Sequence, residues 1–65
     1  MPQIVIYPKE VAQLRGTGYD AGKRFLRRLR DKLGKPRDAA ISVLEFCAAT
    51  GLAEAEVRAA LRHHA

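Results

Sequence analysis

The chain contains little of what usually stabilises a small domain. Its 65 residues include one cysteine, one methionine, four aromatic residues and no tryptophan. A single cysteine excludes an internal disulfide, so Cys47, which stands in an apolar helical pattern, is predicted to be a buried small hydrophobe in a reducing compartment. A chain of this length buries only about 60% of its unfolded surface. We therefore expect one small helical domain, residues 1–65, of modest stability.

Groups suited to catalysis or metal binding are equally scarce. Ser42 is the one serine, and it is interpreted as a helix cap rather than a nucleophile. His63 and His64 are adjacent at the end of the chain, where they are expected to fray, and adjacent helical residues do not face the same way. The sequence thus predicts no enzyme, no cofactor, no metal site and no small-molecule substrate.

Long apolar runs and a signal peptide pattern are also missing from the sequence. No run approaches the ~18 apolar residues that a membrane-spanning helix needs, and the first residues lack the charged and apolar regions of a leader. We accordingly expect a cytoplasmic protein that does not bind membranes.

Acidic residues are few in the first half of the chain, and the charge is therefore segregated. The formal net charge is +5 and the sequence pI is about 10.0. Residues 1–37 carry ten Lys or Arg against three acids, a charge of +7, whereas residues 38–65 carry two Arg against four acids, a charge of −2. A positive field confined to one half suggests a polyanionic partner, most often nucleic acid.

The most informative stretch is residues 17–33, which has the periodicity of an amphipathic helix. Its apolar residues form a stripe predicted to face the core: Phe25, Leu26, Leu29 and Leu33. Its cations cover the other side: Lys23, Arg24, Arg27, Arg28 and Arg30. Thr17 and Asp20 have the spacing of a capping box at its start, and Gly34 is predicted to end it.

Two short segments are candidates for extended structure. Residues 3–7 are β-branched and apolar up to Pro8, and residues 41–43 are the comparable segment. Since a lone strand is unstable, we predict that residues 4–7 pair with residues 41–43. Pairing of the first segment with a second copy of the chain is the alternative.

The remaining segments complete a mainly α fold. We predict a first helix at residues 8–14, a third that runs to Thr50 from a capping box formed by Ser42 and Glu45, and a fourth at residues 53–62. The domain would then comprise an extended arm at residues 1–7, a basic helix–turn–helix at residues 8–34 and a second helical pair at residues 41–63. Four short helices thus form two tandem helix–turn–helix units.

A weak internal repeat in the sequence supports the tandem arrangement. A shift of 35 residues superposes the first half on the second at the following pairs: Ile6 on Ile41, Glu10 on Glu45, Gly16 on Gly51, Lys23 on Arg58 and Leu26 on Leu61. The identities are too few to show common ancestry. The shared pattern is an extended residue, a short helix, a glycine turn and a second helix, and only its first copy is basic.

Residues 10–18, Glu-Val-Ala-Gln-Leu-Arg-Gly-Thr-Gly, followed by Ala21 and Lys23, resemble the helix–turn–helix of bacterial MerR-like and excisionase-like DNA-binding proteins. The resemblance covers residues 8–30. The chain departs from that pattern at Gly18, where the family often has a capping serine, and at Gly22, where it has a buried Val or Leu. Gly22 either permits close packing against the first helix or marks a flexible first turn.

The resemblance implies that the second helix lies in the major groove of duplex DNA, with its N-terminal half, including Asp20, at the base edges. The implied DNA-binding residues are Thr17, Tyr19, Lys23, Arg24, Arg27, Arg28 and Arg30. Among the cations, phosphate binding rather than base contact is implied for Arg28, Arg30, Lys9 and Arg15. The implied function is sequence-specific or architectural DNA binding by a small transcriptional regulator or an excisionase-like accessory factor. Such a protein would associate with the nucleoid and act as a homodimer or beside a larger protein partner.

Two other functions fit the same residues. The basic helix could dock on an acidic protein while the arm at residues 3–7 adds to a sheet of that partner. Peripheral binding to an anionic membrane is disfavoured, because Phe25, Leu26 and Leu29 are needed in the core of so small a domain.

Overall fold

The mainly helical fold is confirmed by a computed structural model, which describes residues 3–62. The elements occur in this order: β1 (Val5–Ile6), α1 (Pro8–Arg15), α2 (Tyr19–Leu33), β2 (Ile41–Ser42), α3 (Val43–Thr50) and α4 (Glu54–Arg62). The predicted fraying at residues 63–65 and the first two residues of the predicted arm lie outside the described residues.

The two predicted extended segments pair with each other within the chain. β1 and β2 are antiparallel, with Ile6 opposite Ile41, and the N–H of Val43 donates to the carbonyl oxygen of Ile4 at 2.8 Å. Both isoleucines are buried. The strand pairing therefore provides hydrogen-bond partners for backbone groups beside the core and also covers the core. Val43 itself begins α3 rather than extending the strand.

A single core joins both helical pairs. Its side chains come from every element: Ile6, Val11, Leu26, Leu29, Ile41, Val43, Phe46, Cys47, Val57 and Leu61. The predicted burial of Cys47, Leu26 and Leu29 is confirmed. Phe25 is only half-buried at the edge of this core, where its ring meets that of Phe46 edge-to-face with centroids 5.8 Å apart. The placement of Leu33 in the core was wrong, because it is the last residue of α2 and 45% exposed.

Gly22 lies where α1 and α2 pack closest. A Cβ atom at this position would lie 2.4 Å from the carbonyl oxygen of Pro8 and 3.2 Å from the backbone nitrogen of Ala12. Both residues at the crossing, Gly22 and Ala12, are buried. Close packing, the first of the two explanations for this glycine, is therefore the one that the structure supports.

The helix ends confirm one predicted capping box and contradict the other. Ser42 accepts from the backbone N–H of Glu45 at 3.0 Å, and the Glu45 carboxylate accepts from the N–H of Ser42 at 2.9 Å. At α2 the N-cap is Gly18, and the Thr17 hydroxyl reaches only the Gly18 carbonyl at 3.5 Å. The helix begins one residue too late for Thr17 to cap it, which also places Asp20 second in the helix rather than at the third position of a box.

The Glu45 carboxylate has a second partner in Lys35. The Lys35 ammonium lies 2.7 Å from Glu45 Oε1, and this bond, followed by the N–H of Ser42, lowers the pKa of Glu45 below its ordinary value. A carboxyl whose pKa is lower in the folded state stabilises the fold above its unfolded pKa of about 4.3, and loses that contribution as the pH falls through the folded value.

Glu45→Gln is thus expected to flatten the acid limb of the stability curve. The wild type should lose more stability than the variant between about pH 5 and pH 3, since only the wild type must protonate this bonded carboxylate. Urea denaturation followed by circular dichroism at each pH measures the difference. Glu56→Gln, at an exposed residue of α4, is the control. Parallel curves for wild type and Glu45→Gln would contradict the assignment.

Several features of the two helical pairs correspond under the 35-residue shift. Ile6 pairs with Ile41, its own counterpart under that shift. The N–H of Tyr7 donates to Glu10 at 3.0 Å, as that of Ser42 does to Glu45. The glycines that end α1 and α3 both adopt positive φ, and Leu26 and Leu61 are both buried.

One hydrogen bond departs from this correspondence. The counterpart of the bond from Val43 to Ile4 would run from position 8 to the carbonyl of Ala39, and position 8 is proline, which has no N–H to donate. The Arg30 guanidinium takes its place, with Nη1 donating to the Ala39 oxygen at 3.4 Å. The end of α2 is thereby tied to the segment that leads into β2.

Candidate nucleic-acid interface

The exposed side of α2 carries the cations. The buried residues of this 15-residue helix are Gly22, Leu26 and Leu29, and they fall on one side at helical spacing. The opposite side is exposed and includes four cations: Lys23, Arg24, Arg27 and Arg28. Burial of the apolar stripe therefore orients the basic face outward.

An open concavity of about 290 Å³ lies on one flank of this face. It is lined by Pro8, Asp20, Lys23, Arg24, Arg27 and Arg30. The close approach of the helices at Gly22 brings the first residue of α1 beside the basic flank of α2. The structure therefore brings together four of the seven predicted DNA-binding residues. It adds Pro8, for which the sequence offered no signal.

The exposed cations of the concavity form no ion pair within residues 3–62. The ion pairs among residues 3–62 are Lys35 with Glu45 and Arg58 with Glu54, both at 2.7 Å. Neither involves α2. Exposed cations without an intrachain partner keep their charge available to a ligand, and several on one flank produce a positive field over it. The surface is suited to bind an extended anion.

Arg30 differs from the other cations of α2. Its side chain is half-buried, Nη1 donates to the Ala39 carbonyl, and Nε is buried without a hydrogen-bond partner among residues 3–62. Arg30 thus lines the concavity while it also holds the segment that follows α2. The helical periodicity placed Arg30 on the solvent side. That periodicity contains no information about the segment after α2, which packs against Arg30.

The other predicted site residues lie around the concavity rather than in it. Tyr19 is 55% exposed, and the Lys23 ammonium lies 5.9 Å from its ring centroid. Thr17 is exposed in the turn before α2, and Arg28 is exposed on a part of α2 that does not line the concavity. These three residues are exposed, and none of them lines the concavity.

Arg15, which the resemblance suggested for phosphate binding, has a partner within the chain. Its guanidinium carbon lies 4.4 Å from the centroid of the Phe25 ring, which is a cation–π distance. It thereby lies over the face of a half-buried aromatic ring. This contact belongs to the packing of α1 on α2.

None of the helices within residues 3–62 has the length and the apolar character needed to span a membrane. Comparison of the chain with protein-family models, with curated proteins and with solved structures finds no match.

Proposed function

We propose that this protein binds duplex DNA through α2, with the N-terminal half of the helix in the major groove. The observation that carries the proposal is the concavity, in which Lys23, Arg24 and Arg27 lie on one flank and form no ion pair within residues 3–62. Arg can donate two hydrogen bonds to guanine, and Lys can bind guanine or phosphate. The short turn at residues 16–18 between α1 and α2 is typical of a helix–turn–helix.

The described chain is too short to bind two successive major grooves, so each chain binds one. Its longest extent is 29 Å, whereas two recognition helices in successive major grooves lie about 34–36 Å apart. The second helical pair therefore cannot read the next groove. Its helix α4 also carries Glu54 and Glu56 in its first turn, and DNA phosphates would repel both residues.

In this proposal one chain reads a short half-site, and specificity for a longer site needs a second chain or a larger partner on the same DNA. That requirement is consistent with a small transcriptional regulator or an excisionase-like accessory factor, acting on the bacterial nucleoid. The rival function, docking of the basic helix on an acidic protein with the arm added to its sheet, has less support. One edge of β1 is already occupied by β2.

Titration into fluorescent random-sequence duplex at about 50 and 200 mM salt tests the proposal. Three cations of the concavity and Arg28 allow about four phosphate contacts, which corresponds to a loss of affinity of about a hundredfold over this salt range. An acidic polypeptide and unlabelled duplex serve as competitors. Preferential displacement by duplex is the expected result. The proposal fails if no complex forms at 50 mM salt, and displacement by the polypeptide alone would favour the rival function.

A further inference from the structure

One carboxylate lies within the basic concavity. Asp20 is exposed at the second position of α2 and lines the same surface as Lys23, Arg24 and Arg27. It forms no ion pair and accepts no side-chain hydrogen bond within the described chain. The carboxylate is therefore available to a ligand, on a flank whose other charged groups are cations.

Stabilisation of the helix explains only part of the reason for an acidic residue at position 20. An acidic residue in the first turn stabilises a helix through its dipole, and the neighbouring position 19, also in the first turn, could provide the same effect. Position 20 is the one that lines the concavity. A carboxylate there weakens binding of phosphates, so it favours a ligand only where it meets a hydrogen-bond donor.

The major groove offers two such donors, the amino groups of cytosine and adenine. Adenine presents its N7 acceptor beside the amino group, and this acceptor repels a carboxylate. Cytosine presents the amino group without an adjacent acceptor on the same base. Its paired guanine presents two acceptors, O6 and N7, which suit the cations one turn along α2 at Lys23 and Arg24.

We propose that Asp20 is a specificity-determining residue that accepts a hydrogen bond from cytosine N4, so that one C·G base pair is read at the N-terminal turn of α2. This inference rests on the proposed function, because it requires α2 in the major groove. In this role Asp20 lowers the non-specific affinity for DNA and raises the discrimination between bases at one position of the site.

Selection from a pool of randomised duplexes, followed by titration of the selected duplex and its single-base variants, tests the inference. Three proteins are compared: the wild type, D20N and D31N. Asp31 is exposed on α2 but does not line the concavity, so D31N removes the same charge from the same helix. Both variants should bind random duplex slightly more tightly than the wild type, since each removes one repulsive charge.

Only D20N should change the selected sequence. The wild type and D31N are expected to prefer cytosine at one position by about tenfold, and D20N should lose this preference or shift it to adenine, the base that asparagine recognises. Retention of the wild-type motif by D20N, or a wild-type motif without a cytosine preference, would overturn the role of Asp20 and leave DNA binding intact. A wild type that binds no duplex at all would overturn the proposed function, and this inference with it.

Discussion

Replacing Gly22 by alanine is expected to lower the free energy of unfolding by about 2–3 kcal/mol and the melting temperature by about 10–20 °C. Helix propensity predicts the opposite sign, since alanine is the better helix former by about 1 kcal/mol. Packing decides, because the added Cβ would lie 2.4 Å from the carbonyl oxygen of Pro8. That atom belongs to the backbone and cannot rotate away. Relief requires α1 to move as a unit, and Val11 on α1 is fully buried in the core.

Thermal denaturation by circular dichroism measures the loss, and Gly18→Ala is the matched control. Gly18 has φ of −79° and no atom within 4 Å of the position of its Cβ. Gly18 is the N-cap of α2, where alanine is less favourable than glycine, so this replacement should cost about 1 kcal/mol or less. A Gly22→Ala variant as stable as the wild type would show that α1 and α2 do not approach as closely as described.

Removing Arg24 and Arg27 together is expected to weaken binding to duplex DNA by about a hundredfold at about 0.1 M salt. Each side chain contributes a contact of about 1–3 kcal/mol if it binds a guanine, and a smaller, salt-dependent contribution if it binds phosphate. The melting temperature should change little, because both residues are exposed and neither forms an ion pair within residues 3–62. Fluorescence anisotropy with a short duplex measures the affinity.

The control for this pair removes the same charge elsewhere. Lys32 and Arg37 are exposed, and neither lines the concavity. Replacement of both by alanine should reduce the affinity by less than about fivefold, since their effect is long-range and is screened over about 10 Å at 0.1 M salt. Equal losses for both pairs would mean that only net charge matters. A preserved affinity in the Arg24 and Arg27 variant would remove the concavity from the interface.

The sequence by itself determined the elements and their polarity. The amphipathic period of α2, the reciprocal cap of Ser42 and Glu45, and the β-branched residues of β1 are local signals, readable because each acts within a few residues of the chain. The sequence also determined that the positive charge belongs to one helical pair, because charge segregation requires no coordinates. The candidate recognition helix could therefore be assigned before its surroundings were known.

The tertiary structure alone decided which members of that helix form a site. In the sequence, Gly22 has the properties of a helix breaker. Only the close approach of α1 shows that this position must have no side chain. Arg30 belongs to the basic face by periodicity, yet the missing N–H of Pro8 leaves the Ala39 carbonyl for Arg30 to bind. Leu33 fits the apolar stripe but lies beyond the core. The first two outcomes depend on contacts beyond α2 itself, and the third depends on where the core ends. The periodicity of one helix contains no information about either.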